Sequence, residues 1–298
     1  MAGLEIHPLS DLRDEAAALL AERFARQRAA EPLLPEIDDF AAHLPDGDGL
    51  VATRGGAAVA YLAGALDGDT ARVGFAGCAA SEPEALRDLF AVLAERWDVS
   101  RFAVAVPASD EGLIDAWFRL AFGCQFMWAV RETGDASQIE FGGRIRPGTP
   151  DDLESVAAFD EILWLLQSRS PSFSGLHLPS RDEFLAEWGD TWDDPELFSH
   201  FVAERDGRVV GHALLYRRPE GDLRVPPENI DLAHAATLDD VRGSGVGLAL
   251  TQHVLTWAHE HGYQSMTIDW RSANLLSSRF WPRRGFRPQY LRLYRAVP

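Results

Sequence analysis

Val241-Arg242-Gly243-Ser244-Gly245-Val246-Gly247-Leu248-Ala249-Leu250 places a glycine-rich turn between an extended apolar segment and an amphipathic helix. Glycines let a backbone take positive φ and approach a ligand with no Cβ in the way. The first N–H groups of the helix that follows, with the positive end of its dipole, then point at an anion. The arrangement is a phosphate cradle.

Spacing separates the families that use such a turn. A P-loop ends in Gly-Lys-Ser/Thr, and this chain has no lysine; all 28 of its basic residues are arginine. A dinucleotide fingerprint asks for glycine at 248, where Leu248 stands, and for several strands afterwards, for which too few residues remain. Arg242, Gly245 and Gly247 fit Arg/Gln-x-x-Gly-x-Gly/Ala, and in this the chain resembles the coenzyme A pyrophosphate loop of the GNAT (Gcn5-related N-acetyltransferase) family. Downstream, Asn274-Leu275-Leu276-Ser277-Ser278-Arg279-Phe280-Trp281-Pro282-Arg283-Arg284-Gly285-Phe286 resembles that family's second signature, Asn-x-x-Ala-x-x-Leu-Tyr-x-x-x-Gly-Phe. Asn274, Gly285 and Phe286 match, Ser277 takes the small position and Phe280 the apolar one. Trp281 departs from it, standing where many members carry a tyrosine credited with protonating the coenzyme A thiolate; an indole N–H does not supply that proton.

The resemblance implies acetyl-CoA as cofactor, with Ala235, Ala236, Thr237, Arg242, Gly243, Ser244, Gly245, Val246, Gly247, Asn274, Ser277 and Trp281 as its binding residues. It implies transfer of the acetyl group to a small-molecule amine. The rival is a protein that binds an acyl-CoA without turnover, as a sensor or scaffold.

The segment from Gly143 reads as a short strand, an Asp- and Pro-led helix, a hairpin over His200 to Tyr216 split at Asp206-Gly207, and a strand Asn229 to Thr237. A helix Val246 to His261 follows, with Val246, Leu250, Val254 and Trp257 on its buried face and Gly262 as its cap. A strand Gln264 to Trp270, a short helix Ala273 to Trp281 stopped by Pro282, and a last strand Phe286 to Val297 complete the series. The first half repeats the opening: Leu4 to Asp11 and an Ala/Leu-rich helix mirror Gly143 to Asp151 and its helix, and a hairpin over Val51 to Leu66 splits at Gly55-Gly56. The predicted fold is therefore a tandem α/β GNAT-like pair, each half a mixed, mostly antiparallel sheet flanked by helices. The predicted domains are 1–133, a linker over 134–142 that opens with Gly134-Asp135-Ala136-Ser137, and 143–298. In the first half the cradle position reads Gly77-Cys78-Ala79-Ala80-Ser81-Glu82-Pro83-Glu84-Ala85, whose two carboxylates would repel a pyrophosphate by about 1 kcal/mol each. That half is expected to be non-catalytic, structural or acceptor-shaping.

For chemistry, Asp231 stands where the resemblance places a general-base glutamate, and His234 titrates naturally near neutrality. Period-two alternation sets the two on opposite faces of a regular strand, so they compete as the base unless a bulge intervenes. For the acid role left by Trp281 the hydroxyls are Ser278, Tyr290 and Tyr294. The arginines at 271, 279, 283, 284, 287, 292 and 295 could hold the ribose phosphate of coenzyme A, with Arg279 or Arg283 allowed as ligands, or form a surface that balances an acidic neighbour, the reading preferred for most of them. Between Trp164 and His200, Trp164, Phe173, Trp188, Trp192 and Phe198 alternate with Asp182, Glu183, Glu187, Asp190, Asp193, Asp194 and Glu196, a composition suited to a cationic amine.

The net charge of −18 argues against nucleic acid as a partner. No apolar run suits a membrane helix, no basic and apolar leader opens the chain, and no cluster has metal-ligand spacing, so a soluble, cytoplasmic protein without a metal is expected. Cys78 and Cys124, in apolar strand-like segments, read as reduced core thiols.

Overall fold

Alternating apolar segments, separated by Gly-Gly and Asp-Gly turns, build two units in which strands and helices follow one another in a similar order. The structure is a computed structural model that describes residues 3–134, 139–174, 178–219 and 221–297. Contacts divide the chain into unit 1, Met1–Ala129 with Pro288–Pro298, and unit 2, Val130–Arg287.

Unit 1 runs β1 (Leu4–Pro8), α1 (Arg13–Ala30), β2 (Asp48–Arg54), β3 (Ala57–Asp67), β4 (Thr70–Val73), β5 (Cys78–Ala80), α2 (Ala85–Trp97), β6 (Arg101–Pro107), α3 (Glu111–Phe118) and β7 (Gly123–Glu132), and the division between units falls inside β7. Neighbours along β1-β2-β3-β4 are antiparallel, and β4 pairs in parallel with β6. The hairpin turn between β2 and β3 is Gly55-Gly56, both at positive φ. Cys78 is fully buried and Cys124 half-buried, and both are thiols.

Unit 2 runs β8 (Arg144–Pro147), α4 (Leu153–Ser168), α5 (Arg181–Asp193), β9 (Phe198–Arg205), β10 (Arg208–Tyr216), β11 (Asn229–Thr237), α6 (Val246–Glu260), β12 (Ser265–Arg271) and α7 (Leu275–Phe280). β8, β9, β10 and β11 pair antiparallel in that order, and β11 pairs in parallel with β12, as β4 does with β6. Side chains alternate across the sheet. Val202 and Leu214 pack with Val156, Phe184 and Trp188 beneath α4 and α5, while Phe201 meets His253 and Trp257 of α6 with ring centroids 5.3 Å apart.

The last strand departs from the expected span 143–298. β13 (Arg287–Ala296) pairs antiparallel with β6, from Tyr290 opposite Pro107 to Ala296 opposite Arg101, so residues 288 onward belong to unit 1. Tyr290 is fully buried there against Phe75, and Leu293 joins the unit 1 core. The expected linker falls in part on residues 135–138, which lie outside the described residues. Among the described residues no helix is long and apolar enough to cross a membrane.

Candidate functional site

β11 and β12 stay paired only from Asn229 opposite Ser265 to Leu232 opposite Ile268. Beyond that point β11 runs on to Thr237 and β12 to Arg271, no longer paired with each other, and a cavity of about 460 Å³ is lined from both sides of the divide. α4 contributes Ile162, Leu163 and Leu166 to its wall, and α6 contributes Leu250, Thr251 and Val254.

The glycine turn opens onto this cavity. Gly243 and Gly245 take φ of +79° and +90°, values that L side chains rarely adopt, and Gly245 sits at the N-cap of α6. The N–H groups of Val246, Gly247 and Leu248 begin the helix and have no carbonyl within it to bond. A Cβ at Gly245 would come no nearer than 3.8 Å to any neighbour and one at Gly247 no nearer than 3.7 Å, so the turn is open, and the conformation of Gly245 is what requires glycine. Ala235, Ala236, Thr237, Arg242, Gly243, Gly245, Gly247, Asn274, Ser277 and Trp281 all line the cavity. Ser244 and Val246 do not line it: Ser244 Oγ donates to the Val241 carbonyl at 2.7 Å, and the Val246 side chain is buried.

At the other rim, Asn274 caps α7, its side-chain oxygen accepting from Leu276 N at 3.1 Å and Ser277 N at 3.4 Å. That explains asparagine at this position without invoking a ligand. Trp281 is nearly buried, edge-on to Phe280 and Phe286. Ser278 Oγ donates to the Ser272 carbonyl at 2.7 Å. Of the arginines from 271 onward, the one at the cavity is Arg284, with its guanidinium 4.9 Å from the centre of the Phe280 ring; Arg279 and Arg283, the residues expected there, do not line it. The short helical turn Pro282–Arg284 after α7 carries Arg283 and Arg284 and sets which of these two faces the cavity, while Arg279 belongs to α7 itself.

Asp231 and His234 are brought to one side of β11. Tyr216 pairs with Asp231, Leu215 with Leu232 and Leu214 with His234, so Ala233 is an extra residue that shifts His234 onto the face Asp231 occupies. Both are buried. Asp231 accepts from Arg218 at one oxygen and from Thr267 Oγ1 at 2.8 Å at the other, so both of its oxygens have donors. His234 differs: its Nε2 is buried without a hydrogen-bond partner and faces Asp160 Oδ1 of α4 at 3.8 Å. Asp160 Oδ2 accepts from Trp188 Nε1 at 3.1 Å. Burial pushes the Asp160 carboxyl up to about 6, against the Trp188 hydrogen bond, and burial pulls His234 down to about 4. His234 is therefore neutral at pH 7 beside an ionised carboxylate. Asp160 and His234 do not themselves line the cavity; their near neighbours in the chain, Ile162 and Leu163 on α4 and Ala235 on β11, do.

Asp160 is absent from the sequence expectation, as are the two histidines that stand behind His234. His200 Nδ1 lies 3.2 Å from His212 Nε2, and His212 Nδ1 lies 3.3 Å from His234 Nδ1. No local pattern announces them, because they meet only through strand register. Several acidic residues expected to shape the acceptor pocket serve local structure. Glu183 completes the capping box of α5 with Ser180, and Asp194 accepts from Leu197 N at 3.1 Å. Trp164, Trp188 and Trp192 pack in or against the α4/α5 core, and Phe173 is exposed.

In unit 1 the corresponding turn is built differently. β5 pairs with β3, Glu82 binds Arg54 at 2.9 Å, Glu84 binds Arg87 at 2.5 Å, and no residue from 77 to 85 has positive φ.

Residues 160–286 match the Acetyltransferase (GNAT) family model. No curated protein matches the sequence. Among solved structures, a GCN5-related N-acetyltransferase from Sphaerobacter thermophilus is similar over 98% of this chain and 95% of its own, with 15% identity and a TM-score of 0.59. A tandem GNAT protein from the clavulanic acid biosynthesis pathway covers 99% of both chains at 18% identity and TM-score 0.50. A GNAT-family acetyltransferase from Colwellia psychrerythraea covers 99% of this chain and 100% of its own at 12% identity and TM-score 0.51. The chain has the fold of these GNAT proteins over nearly its whole length, and within it residues 160–286 are similar to the GNAT acetyltransferase family.

Proposed function

We propose that unit 2 binds acetyl-CoA along the cavity and that the acetyl group passes directly to a small-molecule amine, cationic in its resting state, in a ternary complex. The observation that carries this reading is the glycine turn, open toward the cavity, with unpaired helix N–H groups at its floor and Arg284 beside it. Backbone N–H groups at Val246 and Gly247 suit a pyrophosphate, and the apolar walls from α4 and α6 suit a pantetheine arm. When bound, acetyl-CoA supplies a thioester-activated acetyl group. Asp160, a half-desolvated carboxylate at pH 7, attracts the ammonium form of the acceptor. The bare Nε2 of His234 takes the proton that the ammonium must lose, with the Asp160 charge at 3.8 Å compensating the imidazolium that forms. As the new N–C bond forms and the thioester C–S bond breaks, the second proton that the nitrogen sheds passes through solvent to the departing coenzyme A thiolate. Asp231, with both oxygens occupied, positions Arg218 and Thr267 instead of serving as the base.

Calorimetric titration of acetyl-CoA into the wild type and Gly245→Glu tests the cradle. One site per chain, lost in the variant, is the expected result, and undiminished binding by the variant refutes it. Turnover of a polyamine, aminoglycoside and amino-acid panel tests the acceptor: His234→Gln is expected to lower kcat about 100-fold with cofactor affinity kept. Turnover of neutral or acidic acceptors alone refutes a cationic substrate. A second reading, an acyl-CoA-binding sensor, is favoured by Trp281 at the tyrosine position and by the commitment of Ser278 to a backbone carbonyl. Binding without turnover of any amine would establish it.

A further inference from the structure

His200, His212 and His234 lie on the adjacent strands β9, β10 and β11 and form one hydrogen-bonded row beneath α5. The row ends on Thr191 of α5, whose Oγ1 is 3.0 Å from His200 Nε2. Among the described residues no group of three such side chains has the geometry to hold a metal, and here the ring nitrogens pair in series without converging on a point.

A neutral imidazole has one N–H and one bare nitrogen, so each ring fixes the next. Thr191 Oγ1 donates its single proton to the Trp188 carbonyl at 2.6 Å. It must therefore accept from His200, which carries its proton on Nε2. His200 Nδ1 is then bare and accepts from His212 Nε2–H. His212 Nδ1 is bare in turn and accepts from His234 Nδ1–H. The last ring is left with a bare Nε2, the nitrogen that faces Asp160.

Resting on the reading of His234 as the base, we infer that His212 and His200, anchored by Thr191, are positioning residues that hold His234 in its Nδ1–H tautomer with Nε2 open to take the substrate proton. Ring flips that would undo this order are blocked by packing. Trp188 stands edge-on to all three rings at 6.2, 5.2 and 5.0 Å, and Trp192 stacks on His200 at 3.8 Å and 7°. The row stays neutral near pH 7 because burial lowers all three rings, His200 and His234 to about 4 and His212 well below its ordinary value. The charges acting on this row are Asp160 of α4 at its inner end and Asp152, which precedes α4, on His200; Glu187 of α5 acts on Asp160.

Nitrogen-15 NMR of histidine-labelled protein at pH 7.5 reads the tautomers directly and needs no substrate. The wild type is expected to show His234 as Nδ1–H and both His212 and His200 as Nε2–H. His212→Gln, whose amide oxygen still accepts from His234, is expected to keep that state, and His212→Leu to lose it in favour of Nε2–H. Thr191→Val, at a half-buried site, reads the same release from the other end if the leucine variant does not fold. His234 found as Nε2–H in the wild type, or unchanged in both His212→Leu and Thr191→Val, overturns the inference while leaving the base untouched. Tautomers as assigned together with undiminished turnover by His234→Gln would instead remove the base, and with it the catalytic meaning of the row.

Discussion

Gly245→Ala and Gly247→Ala, two residues apart in one loop, are expected to move stability in opposite directions. Gly245 sits at φ +90°, where an alanine costs about 1–2 kcal/mol. Its new Cβ would meet Phe141 Cβ at 3.8 Å and Glu140 O and Ile139 Cγ2 at 3.9 Å, ordinary contacts that add no clash. The whole penalty is thus conformational, equivalent to a fall in Tm of roughly 2–8 °C for a unit of this size. Gly247 lies in the first turn of α6 without positive φ, and its Cβ would stand 3.7 Å from Thr237 Cγ2 and 3.9 Å from Phe280 Cζ. Alanine there gains up to about 0.5–1 kcal/mol of helix preference, or roughly 1–4 °C. Binding separates them further. To the extent that the Gly245→Ala variant relieves this strain by moving the turn in the free protein, the cost leaves Tm and appears when acetyl-CoA restores the turn, lowering affinity by up to about 5- to 30-fold, while Gly247→Ala stays within about threefold of wild type. Thermal unfolding and calorimetry on the two variants decide the matter. A common fall in Tm, or a Gly245→Ala variant that leaves both quantities unchanged, refutes the assignment of the turn as a conformationally strained cradle.

Asp160→Asn is expected to stabilise the protein at pH 8 and to do nothing at pH 4. The folded carboxyl is raised to about 6 by burial, so its contribution is full below about pH 4 and lost as pH rises through 6, a difference on the order of 3 kcal/mol. Urea unfolding at the two pH values checks it, and an equal shift at both contradicts it. Arg218→Ala strands the buried Asp231 charge and should cost about 3–5 kcal/mol, with part recovered by adding Asp231→Asn; a loss below about 1 kcal/mol in the same assay would show that the pair is not what holds Asp231. Arg284→Ala should weaken acetyl-CoA binding about 5- to 30-fold and flatten its salt dependence, whereas Arg279→Ala leaves both unchanged. Equal effects of the two substitutions would return the phosphate contact to the general arginine excess of this segment.

Much of unit 2 was legible because its signals are local. The glycine turn, the helix from Val246 and the strand Asn229 to Thr237 fall where spacing predicts them, and the two hairpins turn at Gly55-Gly56 and Asp206-Gly207. The relation between Asp231 and His234 depended on Ala233, since one extra residue reverses a face and nothing in a run of apolar residues marks it. His200 and His212 stand 12 residues apart, and His212 and His234 stand 22 apart, spacings that carry no periodic signal until three strands are in register. Arg284 faces the cavity where the sequence suggested Arg279 or Arg283, because the turn Pro282–Arg284 sets the direction of Arg283 and Arg284 and no local pattern marks it. The partner of the last strand was out of reach for the same reason, as an alternating apolar pattern specifies a face and leaves the neighbour open.

Because β13 is laid beside β6, unit 2 is an insertion in the chain path of unit 1. A ribosome finishes β6 and must then make all of Val130–Arg287 before the strand that covers its edge emerges, a wait on the order of ten seconds or more at ordinary synthesis rates. During that wait unit 1 presents an unpaired apolar edge, the kind of surface that invites a wrong partner. Unit 2, whose elements are contiguous, has no such delay and can fold first. The side chain of Gln27, which donates to the Gln289 carbonyl at 3.2 Å across 262 residues, is among the last contacts the nascent protein makes. A truncation or bulky fusion at the C-terminal end is therefore an injury to the opening half of the sequence, and it leaves the glycine turn of unit 2 to fold undisturbed.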